Sequence, residues 1–81
     1  MSHYVYILQS LKDHRYYIGS TSNITSRLNF HNAGLQRSTR NRIPFIVVYK
    51  EECEDKRAAL FREKQIKSYK GGEAFHRLIG K

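Results

Sequence analysis

The sequence is poor in cysteine and proline, and it has no long apolar run. Cys53 is the one cysteine among 81 residues, which excludes an internal disulfide and a metal cage built from cysteines. No apolar stretch approaches the ~20 residues that a membrane-spanning helix needs. The N-terminus also lacks the basic start and the small-residue cleavage site of a secretion signal. We therefore expect a cytoplasmic protein that does not enter a membrane.

Acidic residues are missing from a large part of the chain. From position 14 to position 50 there is no Asp or Glu, and six basic residues give this stretch a charge of +6: Arg15, Arg27, Arg37, Arg40, Arg42 and Lys50. The whole chain carries a net charge of +8. A surplus of this kind favours a polyanionic partner, with nucleic acid as the first candidate, although positive charge can also serve solubility alone.

Length and apolar content indicate one small folded unit. A hydrophobic content of 40% and an aromatic content of 12% are too high for a disordered basic tail. Eighty-one residues are too few for two hydrophobic cores. We therefore expect residues 1–81 to form a single domain.

The hydrophobic pattern predicts two strands and then a helix in the first half of the chain. Residues 4–8 and 16–19 are β-branched and aromatic, and a polar loop of about five residues between them favours an antiparallel hairpin. Thr21, Ser22 or Asn23 can cap a following helix that runs to about Asn32, and Gly34 ends it.

The second half of the chain predicts one more strand and two helices. Residues 43–49 form a nearly continuous apolar run, which is typical of a strand covered on both faces. A helix from about position 54 to 69 and a short one over 73–79 follow. The predicted order is β-β-α-β-α-α, so the fold class is α+β, a three-stranded antiparallel sheet flanked by helices.

Helical spacing places two basic residues beside an apolar stripe. In the first predicted helix, Arg27 lies three residues after Ile24, and His31 lies seven residues after it. Arg27 and His31 are also four residues apart, so they are neighbours on the helix surface. Two cationic groups at an inward-facing edge need an anion, which could be a carboxylate or a phosphate. The alternative is that Arg27 extends to solvent and His31 is a neutral helix-end residue.

Glu63 borders the apolar stripe of the second predicted helix. A carboxylate in this position could hold a divalent metal, which prefers oxygen ligands. An ordinary helix ion pair with Lys67 is the simpler alternative from spacing alone.

Tyrosines alternate with aliphatic residues on the first two strands. Alternation puts Tyr6 and Tyr17 on one face of the sheet and Val5 and Ile18 on the other. Gly19 should leave an open space beside Tyr17. Because the ordinary pKa of tyrosine is near 10, either tyrosine could act as a base only where cations or a metal stabilise its phenolate. The alternative is that tyrosines are simply good strand residues.

A basic loop follows the first helix and is a candidate nucleic-acid contact. Arginine side chains in such a loop suit phosphate binding, and hydroxyl groups can add hydrogen bonds. Lys67, on the second helix, would extend this footprint. The candidate nucleic-acid-binding residues are Arg37, Thr39, Arg40, Arg42 and Lys67.

Together these features resemble the GIY-YIG nuclease superfamily. Tyr4-Val5-Tyr6 stands in place of the first motif, and Tyr17-Ile18-Gly19 matches the second. Arg27, His31 and Glu63 follow in the family's order. The resemblance covers nearly the whole chain and is greatest to small stand-alone members, many of them uncharacterised. Two departures are that Tyr4 and Val5 replace the glycine and isoleucine of the first motif, and that a late asparagine of some members has no secure counterpart.

The resemblance implies an endonuclease that hydrolyses phosphodiester bonds with one divalent metal, Mg²⁺ or Mn²⁺, in processes such as DNA repair or recombination. By position, Glu63 would ligate the metal and Arg27 would contact the phosphoryl group. Tyr17 or Tyr6 would help to deprotonate water, with Tyr17 slightly favoured, and His31 would support the tyrosine. DNA is favoured over RNA as substrate.

Two other functions remain open from the sequence. The chain could be a nucleic-acid-binding module with a vestigial site, or an interaction domain that recruits a protein partner. The oligomeric state and the substrate's structure are not determined by any pattern in the sequence.

Overall fold

A computed structural model of the protein describes residues 2–80. It contains β1 (His3–Ser10), β2 (Tyr16–Thr21), α1 (Ile24–Asn32), a 3₁₀ turn (Arg40–Arg42), β3 (Phe45–Cys53), α2 (Lys56–Lys67) and α3 (Glu73–Leu78). The three strands form one antiparallel sheet in the order β2-β1-β3. The predicted fold class and element order are confirmed. The hairpin loop spans residues 11–15, five residues long as predicted.

Strand register separates the side chains of the sheet into two faces. Tyr6 pairs with Gly19, and Leu8 pairs with Tyr17, so these residues share one face. Ile7 pairs with Ile18 and points to the opposite face. A shift in register between Ile7 and Leu8 alters the pairing of β1 with β3. The division of tyrosines and aliphatic residues predicted by alternation is therefore confirmed.

Two hydrophobic clusters cover the two faces. On one, Val5 and Ile7 pack with Ala59 and Ile66 of α2 and with Phe75 of α3. On the other, Tyr6, Leu8 and Phe45 form a cluster that Ile24 and Leu28 of α1 cover. β3 contacts both α1 and α2, but within its apolar run Phe45 is buried whereas Ile46 is 43% exposed. The predicted cover on both faces is therefore only partial, because β3 lies at the edge of the sheet.

Local caps set the helix boundaries. The Asn23 side chain accepts a hydrogen bond from the backbone N–H of Ser26, so Asn23 is the one of three candidate caps that starts α1. Asp55 caps α2 in the same way, by accepting from the N–H of Ala58. Gly34 follows α1 with φ of 76°, a conformation that glycine adopts without steric cost.

β3 is longer and α2 is shorter than the sequence predicted. The strand continues to Cys53 through three charged residues, and α2 begins at Lys56 and ends at Lys67. The extension forms because Glu51 and Glu52 pair with Val5 and Tyr4 of the central strand. None of the helices in residues 2–80 combines the length and the apolar character needed to cross a bilayer.

Candidate active site

The Tyr6 side chain lies across Gly19 of the neighbouring strand. A Cβ atom added to Gly19 would lie 2.5 Å from Tyr6 Oη and 2.7 Å from Tyr6 Cζ. The space that the sequence left open beside Tyr17 is therefore filled by the ring of Tyr6. The glycine of the second motif allows a buried tyrosine of the first motif to occupy this position.

His31 is buried beneath this tyrosine and has an oxygen partner at each ring nitrogen. Its exposed fraction is 1%. Nε2 lies 3.3 Å from Tyr6 Oη, and Nδ1 lies 2.9 Å from Thr39 Oγ1. Burial and the positive charge of Arg27 lower the pKa of His31 below its ordinary value of 6.5. The imidazole is therefore mostly neutral at pH 7 and able to accept a proton.

Tyr17 completes an aromatic cluster around His31. Its ring centroid lies 4.8 Å from that of His31 and 6.4 Å from that of Tyr6. Both tyrosines therefore lie beside the histidine, but the hydrogen bond to the ring is made by Tyr6. The resemblance slightly favoured Tyr17 as the base, and Tyr6 is the tyrosine that forms the hydrogen bond to His31.

Arg27 lies at the edge of the cluster without a carboxylate partner. Its guanidinium carbon lies 5.1 Å from the centroid of the Phe30 ring. None of the ion pairs formed by residues 2–80 includes Arg27. Its positive charge nevertheless acts to lower the pKa of both Tyr6 and His31. The cation that the spacing placed at an inward-facing edge therefore has no protein anion in the described part of the chain.

Burial and several ionisable groups shift the pKa of the Tyr6 phenol. Burial is the main cause that raises its pKa well above the ordinary value, and the charges of Tyr17 and Glu63 raise it further. Arg27 acts in the opposite direction. Since both the Arg27 and Glu63 charges act on Tyr6, the fold brings α1 and α2 within electrostatic range of the same phenol.

Glu63 forms the ion pair that helical spacing predicted as the simpler alternative. Its Oε2 lies 2.7 Å from Lys67 Nζ, and its side chain is 17% exposed. No group of three or more His, Cys, Asp and Glu side chains suited to a metal occurs within residues 2–80. A single carboxylate is still compatible with Mg²⁺, which commonly uses one or two carboxylates together with waters and substrate phosphates. Glu63 therefore fits a metal that the substrate helps to hold.

The candidate nucleic-acid-binding residues differ in their availability. Arg37 and Arg40 are exposed and form none of the ion pairs found in residues 2–80. Arg42 is engaged, because its Nε lies 3.0 Å from Asp13 Oδ2 and its guanidinium lies over Phe45. Lys67 is engaged with Glu63.

Thr39 points into the protein although it belongs to the basic loop. It is fully buried, and its hydroxyl contacts His31. In this position its side chain meets the histidine and not a ligand on the surface.

Sequence reasoning also missed Asn32, which anchors α1 to the sheet. Its Nδ2 donates to the carbonyl of Phe45 at 3.1 Å, and its Oδ1 accepts from the N–H of Phe45 at 2.7 Å. This amide continues the hydrogen-bonding pattern at the start of β3 and fixes the helix end that carries His31. Its place directly after His31 is the one available signal in the sequence.

Comparison with known proteins shows the family of the chain. The family model described as the GIY-YIG catalytic domain matches residues 2–73. A UPF0213 protein of Staphylococcus haemolyticus is 41% identical over 68 residues, which are 83% of this chain and 82% of that protein. A UPF0213 protein of Natronomonas pharaonis is 43% identical over 67 residues, covering 82% of this chain and 78% of that protein.

A solved structure has the same overall arrangement. The solution NMR structure of a UPF0213 protein from Bacillus halodurans matches with a TM-score of 0.50 and 32% identity, covering 95% of this chain and 94% of that chain. The motif tyrosines, Arg27 and Glu63 all lie within the matched residues. On these grounds the chain belongs to the GIY-YIG family and is similar to its small UPF0213 members.

Proposed function

We propose that this protein is a metal-dependent nuclease that hydrolyses phosphodiester bonds in DNA or structured nucleic acid. The observation that carries the proposal is the buried Tyr6–His31 hydrogen bond beside Arg27, a cation with no carboxylate partner in residues 2–80. A phosphate is the anion that would complete this arrangement. The family match to the GIY-YIG catalytic domain supports the same chemistry.

Arg27 would bind the scissile phosphate. Its guanidinium has no competing carboxylate among residues 2–80, and phosphate suits the paired donors of arginine. As water attacks phosphorus, negative charge on the phosphoryl oxygens increases. A positive group fixed beside them stabilises that charge more strongly in the transition state than in the ground state.

Tyr6 and His31 would remove the proton of the attacking water. The water proton passes to Tyr6 Oη while the phenolic proton passes to His31 Nε2, which leaves imidazolium and a neutral phenol. The resulting hydroxide oxygen bonds to phosphorus, and the ester bond breaks, so that the leaving oxygen departs with the bonding electron pair. That oxygen takes a proton from solvent, and the imidazolium returns its proton to solvent. This coupled transfer avoids a free phenolate, which the raised pKa of Tyr6 makes unfavourable.

Glu63 would hold the divalent cation, Mg²⁺ or Mn²⁺. When bound, such an ion neutralises charge on the phosphate and on the leaving oxygen. Glu63 lies on α2 and is paired with Lys67, so one of its oxygens must leave that pair or be shared with it. Lys67 would then be available to a neighbouring phosphate.

The test is cleavage of branched, damaged, single-stranded and double-stranded nucleic acid with Mg²⁺ or Mn²⁺. We expect Glu63→Gln and Arg27→Met each to lower kcat by about 100-fold or more, as for removal of other groups that stabilise transition-state charge. Glu73→Gln and Arg77→Met are matched controls, because those residues form an exposed pair on α3. Full activity in the Glu63 and Arg27 variants, or no cleavage of any substrate, contradicts the proposal.

A binding module with an inactive site is the second candidate. It is favoured by the Glu63–Lys67 pair, because the carboxylate proposed to hold the metal is already engaged. In that case nucleic acid would bind with steep salt dependence but without metal-dependent turnover. Glu63→Gln would leave binding unchanged, whereas loss of Arg37 or Arg40 would weaken it.

A further inference from the structure

Thr39 is an inward-facing residue within an exposed loop. Its neighbours at positions 37, 38, 40 and 41 are exposed, but Thr39 itself has no exposed surface. Its Oγ1 lies 2.9 Å from His31 Nδ1 and 3.4 Å from the carbonyl oxygen of Gln36. A buried hydroxyl that bridges a histidine and a backbone carbonyl restricts where the protons of that histidine can lie.

The neutral imidazole of His31 carries one proton, and only one of its two placements gives every proton an acceptor. With the proton on Nδ1, the ring donates to Thr39 Oγ1 and the threonine hydroxyl donates to Gln36. The lone pair of Nε2 then accepts from Tyr6 Oη. With the proton on Nε2, the phenolic proton of Tyr6 has no acceptor among residues 2–80, since His31 is its one side-chain partner there.

We infer that Thr39 is a positioning residue that holds His31 in its Nδ1–H form, with the Nε2 lone pair directed at Tyr6. All three hydrogen bonds then point the same way. Tyr6 Oη–H donates to His31 Nε2, His31 Nδ1–H donates to Thr39 Oγ1, and Thr39 Oγ1–H donates to the Gln36 carbonyl. The second partner of a histidine commonly fixes which nitrogen is protonated and how the ring is oriented. The loop that supplies Arg37 and Arg40 would thus also supply the group that orients the buried histidine.

The effect of Thr39 on catalysis rests on the proposed function, whereas the assignment of the His31 tautomer does not. In the proposed reaction, Nε2 must be free to accept the Tyr6 proton. A ring protonated on Nε2 would instead donate to the phenol and block that transfer. Thr39 would therefore act on the rate of the reaction through His31, without touching the substrate.

The deciding experiment is long-range ¹H–¹⁵N NMR of ¹⁵N-histidine-labelled protein near pH 7.5. His31 is assigned by comparison with His31→Asn. We expect wild type and Thr39→Ser to show a protonated Nδ1 and an unprotonated Nε2. Thr39→Val keeps the size of the side chain but removes the hydroxyl, so its His31 should shift to the Nε2–H form or to a mixture. Thr25→Val, the same change at an exposed helix position, should leave the pattern as in wild type.

Activity gives a second and separable measurement. We expect Thr39→Val to lower kcat by about 10- to 100-fold with KM unchanged, the scale seen when an orienting partner of a histidine is lost. Thr39→Ser should restore the rate. If no form of the protein cleaves nucleic acid, the proposed function fails while the NMR result still decides the tautomer.

Two outcomes would overturn the inference. The first is a wild-type His31 protonated on Nε2, which needs no variant and so does not depend on how the variants fold. The second is an unchanged Nδ1–H form in Thr39→Val. If that variant also binds nucleic acid more weakly, Thr39 acts with the surface arginines instead.

Discussion

At the scale of single residues, Gly19 shows how the absence of a Cβ atom can position another residue. Tyr6 and Gly19 pair across β1 and β2, so they share a face of the sheet. The Tyr6 ring leans over the glycine and reaches His31. A Cβ atom at position 19 would lie 2.5 Å from the phenolic oxygen, closer than non-bonded atoms approach.

We expect Gly19→Ala to displace Tyr6 and to lower the free energy of unfolding by about 1–3 kcal/mol, the usual cost of overpacking a buried site. Denaturant unfolding of Gly19→Ala, Tyr6→Leu and the double variant measures the coupling between the two positions. The glycine substitution should cost less when leucine replaces Tyr6. Equal costs in both backgrounds would show that the clash with Tyr6 is not the cause.

His31 should make stability depend on pH in a known direction. Burial first, and the Arg27 charge second, lower its pKa in the folded protein. The unfolded chain keeps a pKa of about 6.5. Between these two values the unfolded chain binds a proton that the folded protein does not, so stability is full above about pH 6.5 and falls as the pH decreases.

We expect His31→Gln to flatten the dependence of the free energy of unfolding on pH between about pH 7.5 and 5.5, a range above the ordinary pKa values of carboxylates. Chemical denaturation at several pH values measures the slope. His76→Gln is the control, since His76 is exposed on α3. An equally steep slope in wild type and His31→Gln would contradict the assignment to His31.

At the scale of elements, a half-buried ion pair fastens α2 to β3. Arg62 Nε lies 2.9 Å from Glu51 Oε2, and Tyr49 donates to the other carboxylate oxygen at 2.5 Å. Burial of Glu51 works against its ionisation, but the hydrogen bonds from Tyr49 and Arg62 outweigh it and lower the pKa of the carboxyl. This network holds the helix that carries Glu63 against the sheet that carries Tyr6.

We expect Arg62→Met to lower the free energy of unfolding by about 1.5–3 kcal/mol, the range for hydrogen bonds to charged groups. Its side chain is 25% exposed and that of Glu51 is 29% exposed. Arg77→Met removes a pair whose side chains are 77% and 85% exposed, and stability should change little. Similar losses in the two variants, measured by urea unfolding, would argue against a special role for the pair between α2 and β3.

At the scale of the whole molecule, the net charge of +8 comes from basic side chains of two kinds. Some form ion pairs with carboxylates, and others are available to a ligand. Arg42, Lys67, Arg62 and Arg77 each pair with a carboxylate. Arg37 and Arg40 are exposed and absent from those pairs. Because counterion release depends on cations that meet phosphates, the available arginines should contribute most to the salt dependence of binding.

We expect Arg37→Ala and Arg40→Ala each to weaken nucleic-acid binding uniformly across sequences and to reduce the slope of log K against log salt by about 1. Fluorescence anisotropy over a salt series measures both quantities. Arg77→Met removes the same charge from an existing ion pair and should change the slope less. An equal change in all three variants would show that net charge alone sets the affinity.

Element types were predictable from the sequence because they depend on local patterns. Alternation assigned Tyr6 and Tyr17 to one face, and the register confirms it. The boundaries of β3 were less predictable, since Glu51 and Glu52 belong to the strand only through their pairing with β1. Charged residues gain strand structure here from a partner that is distant in sequence.

The sequence by itself determined the family, the order of the elements and the face on which the motif tyrosines lie, because each follows from residue type and spacing. Only the tertiary structure decided which groups meet. It placed Tyr6 over Gly19, joined His31 to both Tyr6 and Thr39, and left Arg27 without a carboxylate among residues 2–80. Such contacts depend on how α1, the basic loop and the sheet pack together, and spacing along the chain carries no record of distances between separate elements.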